Sequence, residues 1–492
     1  VSNGTVQVDR EEGSAGTLLV LVLGTLMVAV DTTVVLLALP TITEDLHSSL
    51  SVIIWTLLIY LLITSILATQ LGRVGDIFGR KKIYNAGFAV FTVGSALSGF
   101  SPSALSLIAF RAVQAFGGAM MISTSGAIVA DNFPRQTRGR AFGYTSLGWN
   151  VGATLGIVLG GVITTFLGWR YIFYLNVPIG LVAVALGVRK IRPSAKVESK
   201  LDLPGLILLG VSLALFTYGA IDFASNGPDY ANITLIAVGL VLLGPLVYVE
   251  RVSRHPMIDF SAFKERVLAY ALTSTFMQST GYLAIVFMVI MYLQGIRGLN
   301  PLDASLILVP GYVLSSLISP FMGRLSDKVG SRLLATVGMG LMAASAGIYL
   351  SLGIGSSYYV VIAASLVAGV GSSMFYPANN SAIMANAPIK QYGSISGLAR
   401  TLGNVGTLIS YVIAITVASA AVPRYVAFEA FLGTSNLIGG LSQSFLVGMR
   451  SAFLAGAAIL VVGTVLSAMR GKEVRQASAA SYHSLNEPSS PK

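Results

Sequence analysis

Asp31, Arg111 and Gln114 are polar side chains inside runs of residues long and apolar enough to cross a bilayer. A carboxylate at the centre of a membrane helix costs roughly 2.5–3.5 kcal/mol on insertion scales, so such a group marks an ion path by default. Hydrocarbon penalises the ionised form of a carboxylate, which lets a group so placed trade a proton near neutral pH. Asp31 is therefore expected to carry a proton. The alternative is a purely structural acceptor for Thr32, Thr33 or a neighbouring helix. A guanidinium keeps its charge and must pair, snorkel or face water. With Gln114 one turn further on, Arg111 is expected to face a cavity rather than reach for the headgroups. An approach of Arg111 to Asp31 in one state only would make that state the one that releases the proton.

A second group of residues can act as a gate. Gly72-Arg-Val-Gly-Asp-Ile-Phe-Gly-Arg-Lys-Lys-Ile83 lies between two apolar runs and reads as a tight, basic hairpin. A shortened copy, Gly323-Arg-Leu-Ser-Asp-Lys-Val-Gly-Ser-Arg332, repeats Gly72, Asp76 and Gly79 as Gly323, Asp327 and Gly330 at an offset of 251. Two copies point to a latch, in which Asp76 (beside Arg80) is held by Arg135, Arg138, Arg140 or Arg400; a plain basic loop is the simpler alternative. Gly148, Gly152, Gly156 and Gly160 recur every fourth residue and are followed by Gly161. That stripe lets a second backbone come close and is expected to form the seam on which one half rocks. Trp55, Tyr60, Phe276, Gln278, Tyr282, Tyr292, Tyr376, Asn379 and Asn380 are candidates to line a cavity for large apolar cargo. Taken singly, each is expected to serve packing or an interface anchor sooner than a cavity wall.

These residues need membrane helices to hold them. Of 492 residues, 54% are hydrophobic and 10% charged, against about 25% charged in a soluble domain. The bilayer is therefore the main solvent. Fourteen apolar segments are expected to span it, at 17–40, 52–72, 83–100, 105–130, 141–166, 171–188, 203–223, 232–250, 268–294, 303–323, 333–352, 357–385, 394–420 and 446–468. The fold class is all-α and integral to the membrane. The first run lacks a basic leader and a small-residue cleavage site, so it reads as a retained helix.

Residues 1–16 form an N-terminal head, 17–190 and 267–470 two six-helix bundles, 191–266 a linker with two extra spans, and 471–492 a disordered tail. The bundles are related beyond the hairpin. At an offset of 254, Gly117, Met120, Gly139 and Gly143 recur as Gly371, Met374, Gly393 and Gly397, and Asn150-Val-Gly152 as Asn404-Val-Gly406. An even-numbered insertion leaves both halves in the same orientation, related by a pseudo-twofold axis along the membrane normal. Of the 31 Lys and Arg, 25 fall on one side, four on the other and two within spans. That bias predicts both termini in the cytoplasm of a multi-pass cell-membrane protein. The outer loop 421–445 mixes apolar residues with Gly and Ser and reads as a structured flap.

The charge of +11 is this topology signal rather than a nucleic-acid footprint. With no Cys and three His, the chain has no disulfide, thiol catalysis or Cys/His metal cluster, and no enzymatic activity is expected. No phosphate-cradling GxxxxGK[ST] occurs. No cofactor is expected, and an ion gradient is the expected energy source. The expected partners are a small-molecule substrate, protons and membrane lipid, with the chain a monomer.

These motifs resemble the major facilitator superfamily, and within it the fourteen-helix drug:proton antiporters of the multidrug efflux type. The 72–83 segment is similar to that superfamily's loop motif. Asp31-Thr-Thr-Val-Val-Leu-Leu-Ala-Leu-Pro40 looks like the branch's first-helix motif, with Leu36 where an Asn is usual. Arg111-Ala-Val-Gln114 resembles the fourth-helix motif implicated in proton transfer, with Ala115 for the usual Gly. The run 152–161 resembles the fifth-helix antiporter motif, with Ile157 for the usual Pro, and the run from Trp169 to Gly180 is also typical. The resemblance implies alternating access, with export of lipophilic or cationic drugs coupled to proton entry and so to drug resistance. A dedicated metabolite or lipid transporter of the same fold is the nearest rival. A non-transporting membrane sensor is a rival of another class.

Overall fold

The computed structural model describes residues 2–133, 135–193, 201–253, 256, 263–387, 392–420 and 440–471, with side chains from residue 15 onward and omitted at a few positions within those ranges. The expected flap at 421–445 and tail at 471–492 lie largely outside them. The first half contains α1 (Ser2–Asp45), the short α2 (Leu50–Ile53), α3 (Trp55–Phe78), α4 (Arg80–Gly99), α5 (Ala104–Asn132), α6 (Arg135–Phe166), α7 (Arg170–Tyr174) and α8 (Asn176–Lys190). Three helices follow, α9 (Leu203–Asn226), α10 (Tyr230–Val241) and α11 (Leu243–Val252). The second half contains α12 (Arg266–Met291) with a π turn at Tyr292–Ile296, then α13 (Pro301–Val329), α14 (Ser331–Tyr349), α15 (Tyr358–Asn386), α16 (Tyr392–Ala420) and α17 (Gly440–Ala468).

Thirteen helical stretches of the described residues are long and apolar enough to span a bilayer. The expected fourteenth, 83–100, is α4, a complete helix made less apolar by its Lys, Asn, Ser and Thr. Two expected spans, 171–188 and 232–250, are each built from two helices, α7 with α8 and α10 with α11. Pro178 and Pro245 stand just past these joints, where a missing N–H and the ring's bulk interrupt the helix ladder. Elsewhere side chains close the helix ends. Asp202 accepts from the Gly205 N–H at 3.0 Å, and Asn300 accepts from the Asp303 N–H at 2.9 Å.

The hairpin expected over 72–83 is not a loop. Helix α3 runs on to Phe78 and α4 starts at Arg80, so Gly79 alone makes the break, with φ +105°. Gly330 repeats this between α13 and α14 at φ +97°. Such a φ strains any side-chain-bearing residue, and a single glycine therefore turns the chain.

The halves meet along matching seams. Asn150 of α6 donates to Ser319 of α13 at 3.3 Å, and its repeat mate Asn404 of α16 donates to Thr64 of α3 at 3.3 Å. Thr154 and Ser316 share a hydrogen bond at 2.8 Å. At the end away from Gly79 the halves share one apolar core, in which Leu36, Leu37 and Ile53 join Ile290, Met291 and Leu293. At the Gly79 end the cores are separate, one around Tyr84, Phe88 and Val129, the other around Leu268, Ile383 and Ile395. Helix α9 lies across the α3–α16 seam and touches both helices. Its Tyr218 ring meets Trp55 at 6.1 Å.

Candidate functional site

Asp31 sits near the middle of a 31-residue span, about 21 Å along the helix from Asp45 at 1.5 Å per residue. It is fully buried, as are Arg111, Gln114 and Asn176. Arg111 Nη1 donates to Asp31 Oδ2 at 2.7 Å and to Gln114 Oε1 at 2.7 Å. Gln114 Nε2 donates to Asp31 Oδ1 at 2.8 Å, and Asn176 Nδ2 to the same oxygen at 3.3 Å. Arg111 Nε donates to the Thr56 carbonyl at 3.1 Å, and the guanidinium lies 4.7 Å from the Tyr60 ring centroid. Asn176 is held in turn by Ser95 at 3.2 Å. The cluster thus draws on α1, α3, α4, α5 and α8.

Local sequence explains how the helices close on it. A Cβ on Gly94 of α4 would come within 2.6 Å of the Gln114 backbone, so only glycine lets α5 approach there. Thr32 and Thr33 donate to the carbonyls of Val28 and Ala29 on their own helix, so the donors to Asp31 come from neighbouring helices instead. Arg111 Nη2, Asn176 Oδ1, the Tyr60 hydroxyl and the Thr56 hydroxyl are buried without a hydrogen-bond partner among the described residues. Buried polar groups are normally satisfied, and each left over costs roughly 1–3 kcal/mol. The cluster therefore holds spare donors and acceptors for a second arrangement.

At the Gly79 break, Arg80 bridges two acids, donating to Asp76 Oδ1 at 2.8 Å and to Asp131 Oδ1 at 2.6 Å. This ties the last turn of α3 to the end of α5. Arg400, one of the expected partners of Asp76, is elsewhere: its guanidinium lies over Trp149 at 4.7 Å. The side chains of Arg135, Arg138, Arg140 and Asp327 lie outside the described residues. Gly72 is not a point of close approach, since its Cβ would meet nothing nearer than 3.6 Å; Gly75, which would meet Thr124 at 2.6 Å, has that role.

A family model described as Major Facilitator Superfamily matches residues 21–411. The chain belongs to that superfamily. It is 30% identical over 390 residues to the "Riboflavin transporter RibZ" of Clostridioides difficile (strain 630), covering 79% of this chain and 84% of that protein. It is 31% identical over 380 residues to the "Multidrug resistance protein B homolog" of Mycobacterium tuberculosis (strain ATCC 25618 / H37Rv), covering 75% and 70%. Among solved structures, a bacterial homolog of the human lysosomal transporter Spinster superposes with a TM-score of 0.65 at 16% identity, covering 93% of this chain and 97% of that one. The protein is thus a multi-pass membrane protein of a transporter superfamily, with the all-α fold expected from its sequence.

Within this major facilitator fold the glycine stripe has a different place from the expected one. Cβ atoms on Gly148, Gly152, Gly156 and Gly160 would lie 2.6–3.0 Å from the carbonyl oxygens of Val22, Leu26, Val30 and Val34. The stripe therefore seats α6 on α1 of its own half, not on the other half. Only Gly161 faces across, toward Pro301 and Ser305 of α13.

The expected cavity residues divide. Gln278 is fully buried and donates to Met342 Sδ at 3.8 Å, and Tyr282 is within electrostatic range of Tyr312, Tyr349 and Tyr376. Tyr60 lies between the Arg111 cluster and Arg400. Phe276 is half-buried and Asn380 exposed. Three others belong to packing. Trp55 meets Tyr218 of α9, and Tyr292 donates to the Gly353 carbonyl at 2.8 Å. Asn379 bonds the Ala271 carbonyl at 3.1 Å and the fully buried Arg470. Asn176, Asp131 and Arg470 were not singled out from sequence. The two charged ones lie next to charged end segments, where Asp and Arg are commonplace. Asn176 stands in the Trp169–Gly180 run but is neutral, and so gives no composition signal.

Proposed function

We propose that the protein is a secondary active transporter that exports a lipophilic small molecule by alternating access, in exchange for protons carried by Asp31. The observation that carries this reading is the fully buried Asp31–Arg111 pair in the middle of an apolar span. A guanidinium and two amide donors converge on this one carboxylate. Protonation cancels the attraction and leaves Arg111, which already has one unused Nη2, to find a new acceptor. A five-helix cluster with two arrangements is the kind of bistable element through which a proton can bias which end of the molecule opens.

The separate cores at the Gly79 end support a molecule that parts at that end while staying sealed at the other. The bias of Lys and Arg toward that end supports placing it, with both termini, in the cytoplasm. One proton entering down 100 mV and one pH unit supplies about 3.7 kcal/mol, enough to sustain roughly a 500-fold gradient of neutral cargo. A dedicated metabolite carrier is the second reading, favoured by the similarity to a protein named as a riboflavin transporter.

Reconstitution in liposomes with an imposed pH gradient tests the coupling. Asp31→Asn is expected to abolish proton flux driven by cargo. Wild-type flux in that variant would remove Asp31 from the role. A panel of competing cargos separates the two readings, since a drug exporter takes many and a dedicated carrier one.

A further inference from the structure

If the central space takes an organic cargo, as proposed above, the side chains that border it set the charge of that cargo. Arg400 lies within the span Ile395–Val417 of α16 and is only half-buried. Its guanidinium rests on Trp149 of α6 at 4.7 Å and is within electrostatic range of Tyr60 on α3 and Tyr376 on α15. One helix of each half, α16 and α6, therefore meets at this cation. No carboxylate and no hydrogen-bond acceptor among the described residues takes any of its N–H groups.

A guanidinium keeps its charge and carries five N–H donors, which at membrane depth must face water or a ligand. Stacking on Trp149 occupies the flat face of the group and leaves its hydrogen-bonding edge open. The acid that would balance it is committed elsewhere: Asp31 is fully buried, with Arg111, Gln114 and Asn176 on its oxygens. Asp45, Asp76 and Asp131 are bonded to arginines at the helix ends. Among the described residues, the cation shared by the two halves thus carries no carboxylate, with the Trp149 ring against it and Tyr376 in its field.

We propose that Arg400 is a substrate-binding residue and that the cargo is an aromatic organic anion. Its carboxylate takes the open edge of the guanidinium, and its ring lies along Trp149 and Tyr376. Arginine suits this role because its fork matches two carboxylate oxygens at once. The cationic cargo expected from the family resemblance would instead meet repulsion at Arg400, a device that discriminates as strongly as attraction does.

Equilibrium binding to the full chain in lipid nanodiscs tests the assignment, with empty nanodiscs subtracted. Three radiolabelled probes share one aromatic body: naphthalene carboxylate, neutral naphthalene methanol and naphthyl trimethylammonium. Wild type is expected to bind the carboxylate about tenfold or more tighter than the ammonium, the usual worth of one charge-assisted contact. Arg400→Gln is expected to lose that preference, its affinity for the carboxylate falling to that for the neutral probe in the same variant. Arg400→Lys keeps the sign of the preference, which distinguishes lost charge from lost folding. A wild-type preference for the ammonium, an unchanged ratio in Arg400→Gln, or no binding of any probe by wild type overturns the proposal. Binding needs no gradient, so anion preference without proton flux sinks only the Asp31 coupling, and proton flux driven solely by cations sinks only the role of Arg400.

Discussion

At the scale of single residues, the buried pair of Asp31 and Arg111 determines most of what substitution will do. Removing one partner of a buried ion pair leaves an uncompensated charge and typically costs about 3–5 kcal/mol. Arg111→Gln is therefore expected to lower unfolding stability in detergent by about that amount, whereas adding Asp31→Asn to it recovers part of the loss because neither charge is then stranded. Chemical unfolding of the two singles and the double closes the cycle. Additive effects would show that the two side chains do not act together.

Asp31, Arg111 and Gln114 were legible in the sequence because charge and amide groups are costly in hydrocarbon and so stand out there. Their partners were less legible. Asn176 is neutral and near a helix start, and Tyr60 passes for an ordinary apolar ring until its face is found over a guanidinium. Arg400, one of the candidate partners of Asp76, lies over Trp149 instead. Its position near an inner helix end suggests Asp76, but which way a side chain points from a helix depends on packing that one sequence does not state.

At the scale of helices, close backbone approach decides which substitutions are tolerated. A Cβ on Gly152 would lie 2.6 Å from the Leu26 carbonyl oxygen, and backbone there has no side chain to swing aside. Gly143, on the same helix, would meet nothing within 4 Å. Gly152→Ala is expected to lower the Tm by several degrees, in line with overpacking costs of about 1–3 kcal/mol, and Gly143→Ala to leave it near wild type. A thermal melt of both variants decides this, and equal effects would refute the account of α6 seated on α1.

The spacing of the stripe was readable in sequence, but its partner helix was not, since a small-residue face welcomes any neighbour. The spans themselves were legible from apolar length, and the repeat from its offsets. The extent of the gate was not. Polar and basic residues from Arg73 to Lys82 look like a loop, yet Arg80 pairs with Asp76 and Asp131 and the backbone stays helical up to Gly79.

At the scale of the whole molecule, two pseudosymmetric halves are joined at one end and separate at the other. Rocking requires the seams to shear, and the neutral hydrogen bonds across them are weak enough to exchange. The chain has no cysteine, so an engineered pair reports on one seam alone. Thr154→Cys with Ser316→Cys replaces hydroxyls 2.8 Å apart on opposite halves. Oxidation is expected to cross-link the pair and stop transport in liposomes, with reductant restoring it. Full-rate transport by the cross-linked protein would mean the α6–α13 seam does not move. Should the cargo be a monoanion exported against one proton, each cycle carries two charge equivalents inward. A potential of 100 mV then contributes about 4.6 kcal/mol, against about 2.3 for neutral cargo.

Helix α9 rests on α3 and α16 together, one from each half, and carries α10 and α11 on its outer side. Under the alternating access proposed above these two helices slide past one another, and α9 then has to slip along at least one of them. On that proposal the extra pair is a drag element steeped in lipid, and the stiffness of the surrounding acyl chains becomes a term in how fast the halves can exchange.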